Sequence, residues 1–215
     1  MNKIIDLTYM INNEMITYPT PWHPKVFVER LGKIEEVGRN TCKITLGTHT
    51  GTHIDAPLHF IENGKSIEKI PLDKIVGQVT IVDFSHFQKN QPIEKEVLQK
   101  IKITKRMIFR FGWEKYWNKN EFYKDHPFFT EEAANYLVSM GVELLGYDTP
   151  SPDSSITNNY IDSPIHKIFL GNGIVLLEYL ANLDKLENLE NWNIVVAPMK
   201  IEGSDGSPSR VFVFQ

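Results

Sequence analysis

Four side chains that can bind a metal ion lie close together in residues 48–60, whose sequence is THTGTHIDAPLHF. They are His49, His53, Asp55 and His59. Imidazole nitrogen and carboxylate oxygen are donors that borderline divalent ions such as zinc and manganese accept, so this stretch predicts a metal site. A lone histidine is more often an ordinary core or surface residue, but three with a carboxylate argue against that alternative. The single cysteine, Cys42, argues against a closed structural zinc site, because such sites usually contain several cysteines.

An extended chain explains the spacing of these four groups better than a helix does. All four have odd residue numbers, so a strand-like chain directs them to one side and Ile54 to the other. At about 3.3 Å per residue, however, full extension would separate His49 from His59 by roughly 33 Å, too far for one site. The chain must therefore bend. Gly51 and Pro57 are the expected positions, since glycine adopts unusual backbone angles and proline ends regular strand pairing.

The composition is that of an ordinary globular chain, most simply one domain over residues 1–215. It has 215 residues, 41% hydrophobic and 23% charged, which is enough to enclose one sizeable core. The net charge is −4 and there is no basic run, so neither nucleic acid nor an anionic membrane is expected as a partner. The first residues, MNKIIDLTYMINNE, contain too short an apolar run for a signal peptide or a spanning helix, so we expect a cytoplasmic protein.

Hydrophobic periodicity predicts the elements that must position these groups. Strands are expected at residues 4–9, 25–30, 41–46, 78–84, 107–111, 142–147, 174–180, 193–201 and 210–214. Helices are expected at residues 93–101, 130–140 and 163–171, and long loops at residues 112–129 and 202–209. The strand at 41–46 leads directly into the histidine stretch, so the predicted site begins at a strand end.

Aromatic residues occur in the proline-rich segment TYPTPWHP, which cannot form regular structure. Tyr18, Trp22 and His23 are the side chains concerned. Side chains on such a loop either close over a ligand or cover the hydrophobic core, and the sequence leaves both outcomes open.

Three more polar side chains occupy positions of interest later in the chain. Glu178 lies within the apolar strand at 174–180, where an ionised carboxylate either faces solvent at a sheet edge or has a cationic partner. His166 falls in the first turn of the third predicted helix. Asp148 follows a predicted strand, where it either faces a ligand crevice or caps a turn.

Four stretches together resemble the cyclase family of metal-dependent hydrolases, which includes bacterial kynurenine formamidase (arylformamidase) and isatin hydrolase. THTGTHIDAPLHF matches the family signature HxGTHxDxPxH. The other similar stretches, in chain order, are FGWEKYWN with the following HPFFTEEAANYL, then LLGYDTPSPD, then SPIHKIFLGNGIVLLEYLANL. The resemblance implies an α/β fold, the swivelling β/β/α domain of the family, with a mixed sheet, short flanking helices and assembly as homodimers or homotetramers.

The resemblance also implies roles for particular residues. The metal ligands it implies are His49, His53, Asp55, His166 and Glu178, with the aspartate bridging two divalent ions, zinc in the first place or manganese. His59 matches the catalytic histidine of the family. Tyr18 falls where kynurenine formamidases usually carry a tryptophan that packs on the substrate ring, and Lys167 falls where they commonly carry a second histidine.

Five candidate ligands exceed what one four-coordinate catalytic ion with an open position would use, which favours two ions or one ion with additional supporting groups. A metal ion lowers the pKa of bound water and polarises a carbonyl, and His59 can carry a proton to a leaving nitrogen. The sequence therefore predicts hydrolysis of a C–N amide bond in a small molecule, most simply an aryl formamide such as N-formylkynurenine. A hydrolase of a cyclic amide or lactone, and a non-catalytic metal-binding protein, are the alternatives.

Overall fold

The computed structural model describes residues 3–156 and 162–215. Its strands are Ile4–Asp6 (β1), Phe27–Gly32 (β2), Thr41–Thr45 (β3), His53–Asp55 (β4), Val76–Asp83 (β5), Pro92–Ile93 (β6), Arg106–Arg110 (β7), Phe128–Phe129 (β8), Leu144–Tyr147 (β9), Val175–Glu178 (β10), Trp192–Pro198 (β11) and Gly206–Phe214 (β12). Its α-helices are Ile34–Val37 (α1), Leu72–Ile75 (α2), Lys95–Leu98 (α3), Glu131–Ser139 (α4) and Pro164–Gly171 (α5).

Eight strands form one mixed sheet in the order β1-β12-β11-β5-β7-β9-β10-β4. β5, β7, β9 and β10 are parallel neighbours, and the other pairings in this sheet are antiparallel. β4 pairs with β10 on one side and with the first residues of β12 on the other, so the sheet curls until these two distant strands flank β4. The candidate ligands lie at this point of closure.

Two hydrophobic clusters cover the two faces of the sheet. Consecutive residues of the parallel strands alternate between them, so that Ile108 of β7 joins one cluster while Met107 and Phe109 join the other. The second cluster includes the buried faces of α4 and α5, which pack on this side of the sheet. Parallel strands buried on both faces explain the nearly continuous apolar runs in the sequence.

The ends of the two longer helices follow from ordinary capping chemistry. The side chain of Thr130 accepts a hydrogen bond from Ala133 N at 3.2 Å and so caps α4. Gly141, with a φ angle of 75°, follows the end of this helix. Pro164 occupies the first turn of α5, where proline loses no helical hydrogen bond. The helices predicted at 130–140 and 163–171 are therefore confirmed.

The predicted mixed α/β architecture is confirmed, but several boundaries are wrong. The strand expected at 193–201 ends at Pro198. The helix expected at 93–101 is limited to Lys95–Leu98, because Ile93 pairs with Phe129 in a small parallel sheet. The loop expected at 202–209 becomes strand from Gly206, because these residues pair with β4. The first strand ends at Asp6 rather than at residue 9, because the chain turns there. The Asp6 carboxylate accepts a hydrogen bond from Thr8 N across this turn.

The segment at 112–129 is packed rather than extended over the surface. It contains two short 3-10 turns, Trp113–Tyr116 and Asn120–Tyr123, and the side chains of Trp113 and Phe122 are buried. The ring of Trp117 stacks on Tyr9 with the centroids 3.8 Å apart.

β2 and β3, both predicted as strands, form a separate antiparallel hairpin. Every residue of β3 is exposed, and Phe27, Leu31 and Ile44 are each about 60% exposed. Among the described residues the longest helix, α4, has nine residues, and no helix is long and apolar enough to cross a membrane.

Candidate metal centre

The histidine stretch enters the sheet as β4 after the bend expected at Gly51, whose φ angle is 59°. β4 then gives way to a short 3-10 turn at Pro57–His59, the second expected bend. Within β4, His53 and Asp55 point to the same side, with His53 Nε2 3.4 Å from Asp55 Oδ1, while Ile54 joins the hydrophobic core. The predicted alternation is confirmed over β4, and both predicted bends are present.

Glu178 joins this pair because β10 lies next to β4, with Glu178 opposite His53 in the register. Glu178 Oε2 is 3.5 Å from His53 Nε2, and the Glu178 side chain is 5% exposed. His166 arrives from the first turn of α5, with Nε2 3.4 Å from Glu178 Oε1 and 3.7 Å from Asp55 Oδ2. One buried cluster therefore contains four of the predicted ligands, and the alternative that Glu178 faces solvent is wrong.

A surrounding layer of hydrogen bonds fixes the orientation of these side chains. His53 donates from Nδ1 to the carbonyl two residues earlier, at 2.7 Å. His166 donates from Nδ1 to Asp153 Oδ2 at 2.5 Å, and the Tyr147 hydroxyl donates to Glu178 Oε1 at 2.8 Å. Both imidazole rings therefore turn Nε2 toward the cluster. Asp153 is the last residue of the family-like stretch LLGYDTPSPD, but the sequence analysis gave it no role, because its partner lies on a different element.

His49 lies at the edge of the cluster between two carboxylates. Its Nδ1 is 2.7 Å from Asp55 Oδ1, and its Nε2 is 2.8 Å from Asp205 Oδ2. Burial opposes protonation of the ring, but the two carboxylates outweigh it and raise the pKa of His49 to about 10. The imidazolium thus bridges Asp55 and Asp205. A histidine must be neutral to bind a metal ion, so an ion at this position would replace one of these protons.

His59 stands beside His49 at the more exposed side of the cluster. Its side chain is 23% exposed, and its ring stacks on His49 with the centroids 3.8 Å apart. His59 donates from Nδ1 to Asp205 Oδ2 at 3.0 Å, and Asp205 Oδ1 accepts from the Thr48 hydroxyl. Since a carboxylate can only accept, His59 Nε2 is the nitrogen left for another partner. Burial lowers the pKa of His59 although the bond to Asp205 acts against it.

Asp205 joins the candidate site through hydrogen bonds to His49 and His59, and the sequence analysis did not predict it. It lies in the predicted loop at 202–209 and reaches the site only because β12 pairs with β4, which brings Gly206 opposite Asp55. Its hydrogen bonds to two histidines hold the pKa of the Asp205 carboxyl well below its usual range. The one local signal is the glycine that follows it, since a Cβ at Gly206 would lie 2.8 Å from His49 Cε1.

The donor set fits a divalent cation. Among the described residues, two groups of three ligand atoms lie within 4.8 Å of one another, namely His53 with Asp55 and Glu178, and His49 with Asp55 and His59. Asp55 belongs to both groups, and its Oδ2 atom is buried without a hydrogen-bond partner in the described chain. Such an oxygen costs free energy unless a cation or a hydrogen-bond donor lies against it, and a cation among these donors would satisfy it. These residues could hold one or two metal ions.

A pocket of about 120 Å³ opens onto this cluster. Four of the candidate ligands, His49, His53, His166 and Glu178, line it together with His59. Its other walls are formed by Tyr18, Trp22, His23, Phe60, Pro150, Ser151, Ser163 and Tyr179. The ring centroid of His23, in the proline-rich loop, lies 6.1 Å from that of His49. Of the two outcomes left open for this loop, the structure shows that its side chains line the pocket.

Asp148 lies outside the cluster. Its carboxylate is buried and accepts from Phe111 N at 2.8 Å and from Trp113 N at 2.7 Å. Burial raises the pKa of Asp148 to about 7, although both N–H groups oppose the rise. Of the two roles left open for this aspartate, capping the turn after β7 is the one observed.

Comparison with known proteins places this architecture in a family. The Cyclase family model matches residues 5–154. A kynurenine formamidase of Bacillus thuringiensis subsp. konkukian is 31% identical over 213 residues, covering 97% of this chain and 96% of its own. Isatin hydrolase A from Labrenzia aggregata, solved with benzyl benzoate, is 26% identical with a TM-score of 0.86, covering 99% of this chain and 93% of its own. The structure of a predicted metal-dependent hydrolase from Bacillus stearothermophilus is 27% identical with a TM-score of 0.73, covering 100% and 98%.

The family model spans more than half of the chain, and the relatives match it almost from end to end. The fold implied by the sequence signature is also the fold of these solved structures. The chain belongs to the Cyclase family and is a cyclase-family hydrolase.

Proposed function

We propose that this chain is a metal-dependent hydrolase that cleaves a C–N amide bond in an aryl formamide such as N-formylkynurenine. The observation that carries the proposal is the buried cluster of histidines and carboxylates around Asp55, open to a pocket with aromatic walls. A relative that is 31% identical over nearly the whole chain carries the name kynurenine formamidase, which supports the substrate class.

The proposed metal ligands are His49, His53, Asp55, His166 and Glu178. The unpartnered Oδ2 of Asp55 supports a cation in this cluster, and its membership of two donor groups supports two ions that share it. Mixed nitrogen and oxygen donors suit zinc in the first place and manganese as the alternative. A bound divalent ion would lower the pKa of a water molecule and polarise the amide carbonyl.

The residues around the cluster keep these ligands in their binding geometry. His166 donates its Nδ1–H to Asp153, and His53 donates its Nδ1–H to a backbone carbonyl. Each ring therefore offers its Nε2 lone pair to a metal ion. Tyr147 donates to one oxygen of Glu178, which fixes the rotation of that carboxylate.

His59 is the proposed catalytic residue. With its Nδ1 proton donated to Asp205, its Nε2 atom can take a proton from the attacking water and deliver it to the leaving nitrogen. Asp205 would fix the tautomer and stabilise the imidazolium form while the proton is held. Departure of an amine requires that second proton transfer, because an amide anion is a very poor leaving group.

Tyr18 is the proposed contact to the aromatic ring of the substrate, since its side chain lines the pocket beside His23. A small cyclic amide is a second candidate substrate, and the 26% identity to isatin hydrolase A supports it. Both reactions use the same residues and differ only in whether the amide lies in a ring.

The test is hydrolysis of N-formylkynurenine and isatin by protein stripped with a chelator and then reloaded with zinc or manganese. We expect turnover of the formamide only after reloading, with His86→Ala, an exposed histidine, behaving as wild type. Turnover of isatin alone would select the cyclic amide. Turnover by the stripped protein would contradict metal dependence.

We further propose that the chain is a homodimer or homotetramer located in the cytoplasm. The apolar side chains exposed on the β2–β3 hairpin support assembly, because a two-stranded hairpin is marginally stable by itself. Sedimentation of wild type against Phe27→Ser tests this, since the variant should contain a larger monomer fraction.

A further inference from the structure

Tyr179 has an unusual backbone conformation beside the candidate metal centre. It follows the proposed ligand Glu178, at the end of β10, and its φ angle is 58°. The other non-glycine residues with a positive φ in the described chain are all Asn or Asp, whose short polar side chains tolerate this region. For a bulky aromatic residue the conformation costs free energy, so the surrounding structure must hold it in place. Such strained residues are concentrated at functional sites.

Two hydrogen bonds hold the backbone of Tyr179 in this conformation. Its carbonyl accepts from the Thr52 hydroxyl at 2.6 Å, and its N–H donates to Thr149 O at 3.4 Å. Thr52 directly precedes His53 in the chain. The first bond therefore connects the turn after one proposed ligand, Glu178, to the residue next to another.

The side chain of Tyr179 lies against the ring of His53. The two rings meet edge to face with their centroids 5.0 Å apart, and Tyr179 is 4% exposed where it lines the pocket. The ring of His49 packs on His53 in the same manner, at 5.1 Å. One hydrogen bond, from His53 Nδ1 to Gly51 O, does not by itself prevent a tilt of the His53 ring, and the two ring contacts restrict that motion.

The segment at 112–129 supports Tyr179 in turn. Phe122 meets the Tyr179 ring edge to face at 5.1 Å, and Trp117 meets it at 6.1 Å. The side chain of Phe122 is fully buried. None of the proposed metal ligands comes from this segment, and Tyr179 contacts both the segment and His53.

We propose that Tyr179 is a positioning residue that fixes the ring of His53 for metal binding, and that residues 112–129 influence the metal centre by supporting Tyr179. The inference rests on the proposed function, because it takes His53 as a metal ligand. It goes beyond that function by giving a role to a strained residue and to a segment that the catalytic proposal does not use. Loss of the aromatic ring at position 179 should therefore weaken metal binding.

The experiment compares Tyr179→Leu with Tyr179→Phe in zinc titrations of the chelator-stripped full chain. Both replacements have a Cβ and keep the backbone strain of tyrosine, but only phenylalanine keeps the aromatic ring. Tyr179→Leu should weaken zinc binding about tenfold, at the lower end of the range for residues that orient metal ligands. It should also change the visible absorption spectrum of the cobalt-loaded protein, which reports the geometry of the ligands. Tyr179→Phe should retain the zinc affinity and the cobalt spectrum of wild type.

Phe84→Leu is the matched control for a general loss of packing. Phe84 is a buried ring of the same hydrophobic cluster as Tyr179. Its ring partners in the described part of the chain include no proposed ligand and are His86, Phe87, Phe109 and Phe111. The control should lower the thermal stability and leave the zinc affinity and the cobalt spectrum unchanged.

Phe122→Leu tests the support from the segment and keeps the test decisive if Tyr179→Leu folds poorly. It should weaken zinc binding to a smaller extent than Tyr179→Leu. Adding Phe122→Leu to Tyr179→Leu should weaken zinc binding little further, since both changes act through one ring.

An unchanged zinc affinity in Tyr179→Leu, or an equal loss in Phe84→Leu, would overturn the positioning role. A loss in Tyr179→Phe as large as in Tyr179→Leu would overturn it as well, because the ring would then not be the cause. Wild type that binds no zinc would overturn both this inference and the metal-dependent function. The formamide turnover assay is run in parallel, and the predicted zinc affinities without turnover would contradict only the proposed reaction.

Discussion

At the scale of single residues, Asp205 connects the two histidines of highest interest. It accepts from Nε2 of His49 and from Nδ1 of His59, and so it couples a candidate metal ligand to the candidate proton carrier. His59 is the more exposed of the two rings, and its contact to Asp205 uses Nδ1 and not Nε2. The roles of these residues can be separated by measuring activity and metal content together.

His59→Ala should lower kcat by about 10²–10⁴-fold, the usual contribution of a general acid–base group, and leave the metal content close to that of wild type. Turnover and elemental analysis of the same sample check this, with His86→Ala as the control at an exposed histidine. Loss of bound metal would instead identify His59 as a ligand, as its place in one of the two donor groups allows.

Asp205→Asn should lower kcat by roughly tenfold to 100-fold, because the amide can no longer stabilise a protonated His59. Adding this change to His59→Ala should cost little more than His59→Ala alone, since both act on one proton transfer. Glu202→Gln, exposed in the same segment, is the matched control. Independent, multiplying effects in the double variant would show that Asp205 acts elsewhere.

At the scale of elements, the closure of the sheet assembles the site. β4 has only three residues, yet it pairs with β10 through Glu178 and with β12 beside Asp205. β4 and β10 therefore contribute side chains to one cluster, and Asp205 joins it from the position just before β12. The closeness of β12 to the ring of His49 depends on a residue without a side chain at position 206.

Gly206→Ala should displace His49 and reduce both metal binding and turnover, because the added Cβ would lie 2.8 Å from His49 Cε1 and 2.9 Å from Ile54 O. Overpacking of this kind typically lowers the free energy of unfolding by about 1–3 kcal/mol. Thermal unfolding and metal titration measure the two effects. Gly171→Ala is the control, since its Cβ would meet only ordinary contact at 3.5 Å, and equal behaviour of the two variants would contradict the packing argument.

Local chemistry explains which elements were predictable from the sequence. Thr130 and Pro164 mark the helix starts, and the bends at Gly51 and Pro57 follow from their backbone preferences. The roles of Asp205 and Asp153 were not predictable, because each depends on a partner brought near by pairing between remote elements. Ile93 was assigned to a helix for the same reason, since its strand partner lies 36 positions later, at Phe129.

At the scale of the whole molecule, folding buries several ionisable groups, so stability depends on pH. His126 is buried beside Trp113, and its Nδ1 atom donates to Pro127 O. Burial lowers the pKa of His126 to about 4 from an ordinary value of 6.5. The unfolded chain therefore binds one more proton than the folded chain between these two values.

The stability of the folded state should consequently fall as pH decreases from about 6.5 to about 4, with His126 contributing about 3 kcal/mol of the loss. His126→Phe should flatten this part of the profile, measured by urea unfolding at fixed metal concentration. His86→Phe, at an exposed position, should leave the slope unchanged. Parallel profiles for wild type and His126→Phe would show that another group causes the acid dependence.

The central claim is that the buried cluster binds two divalent ions that share Asp55. Zinc titration of the chelator-stripped protein, followed by elemental analysis after gel filtration, tests it most directly. We predict two zinc ions per chain in wild type and loss of both in Asp55→Asn, with Glu202→Gln retaining both. A wild-type protein that retains fewer than two zinc ions per chain, or an Asp55→Asn variant that still binds two ions, would contradict the account.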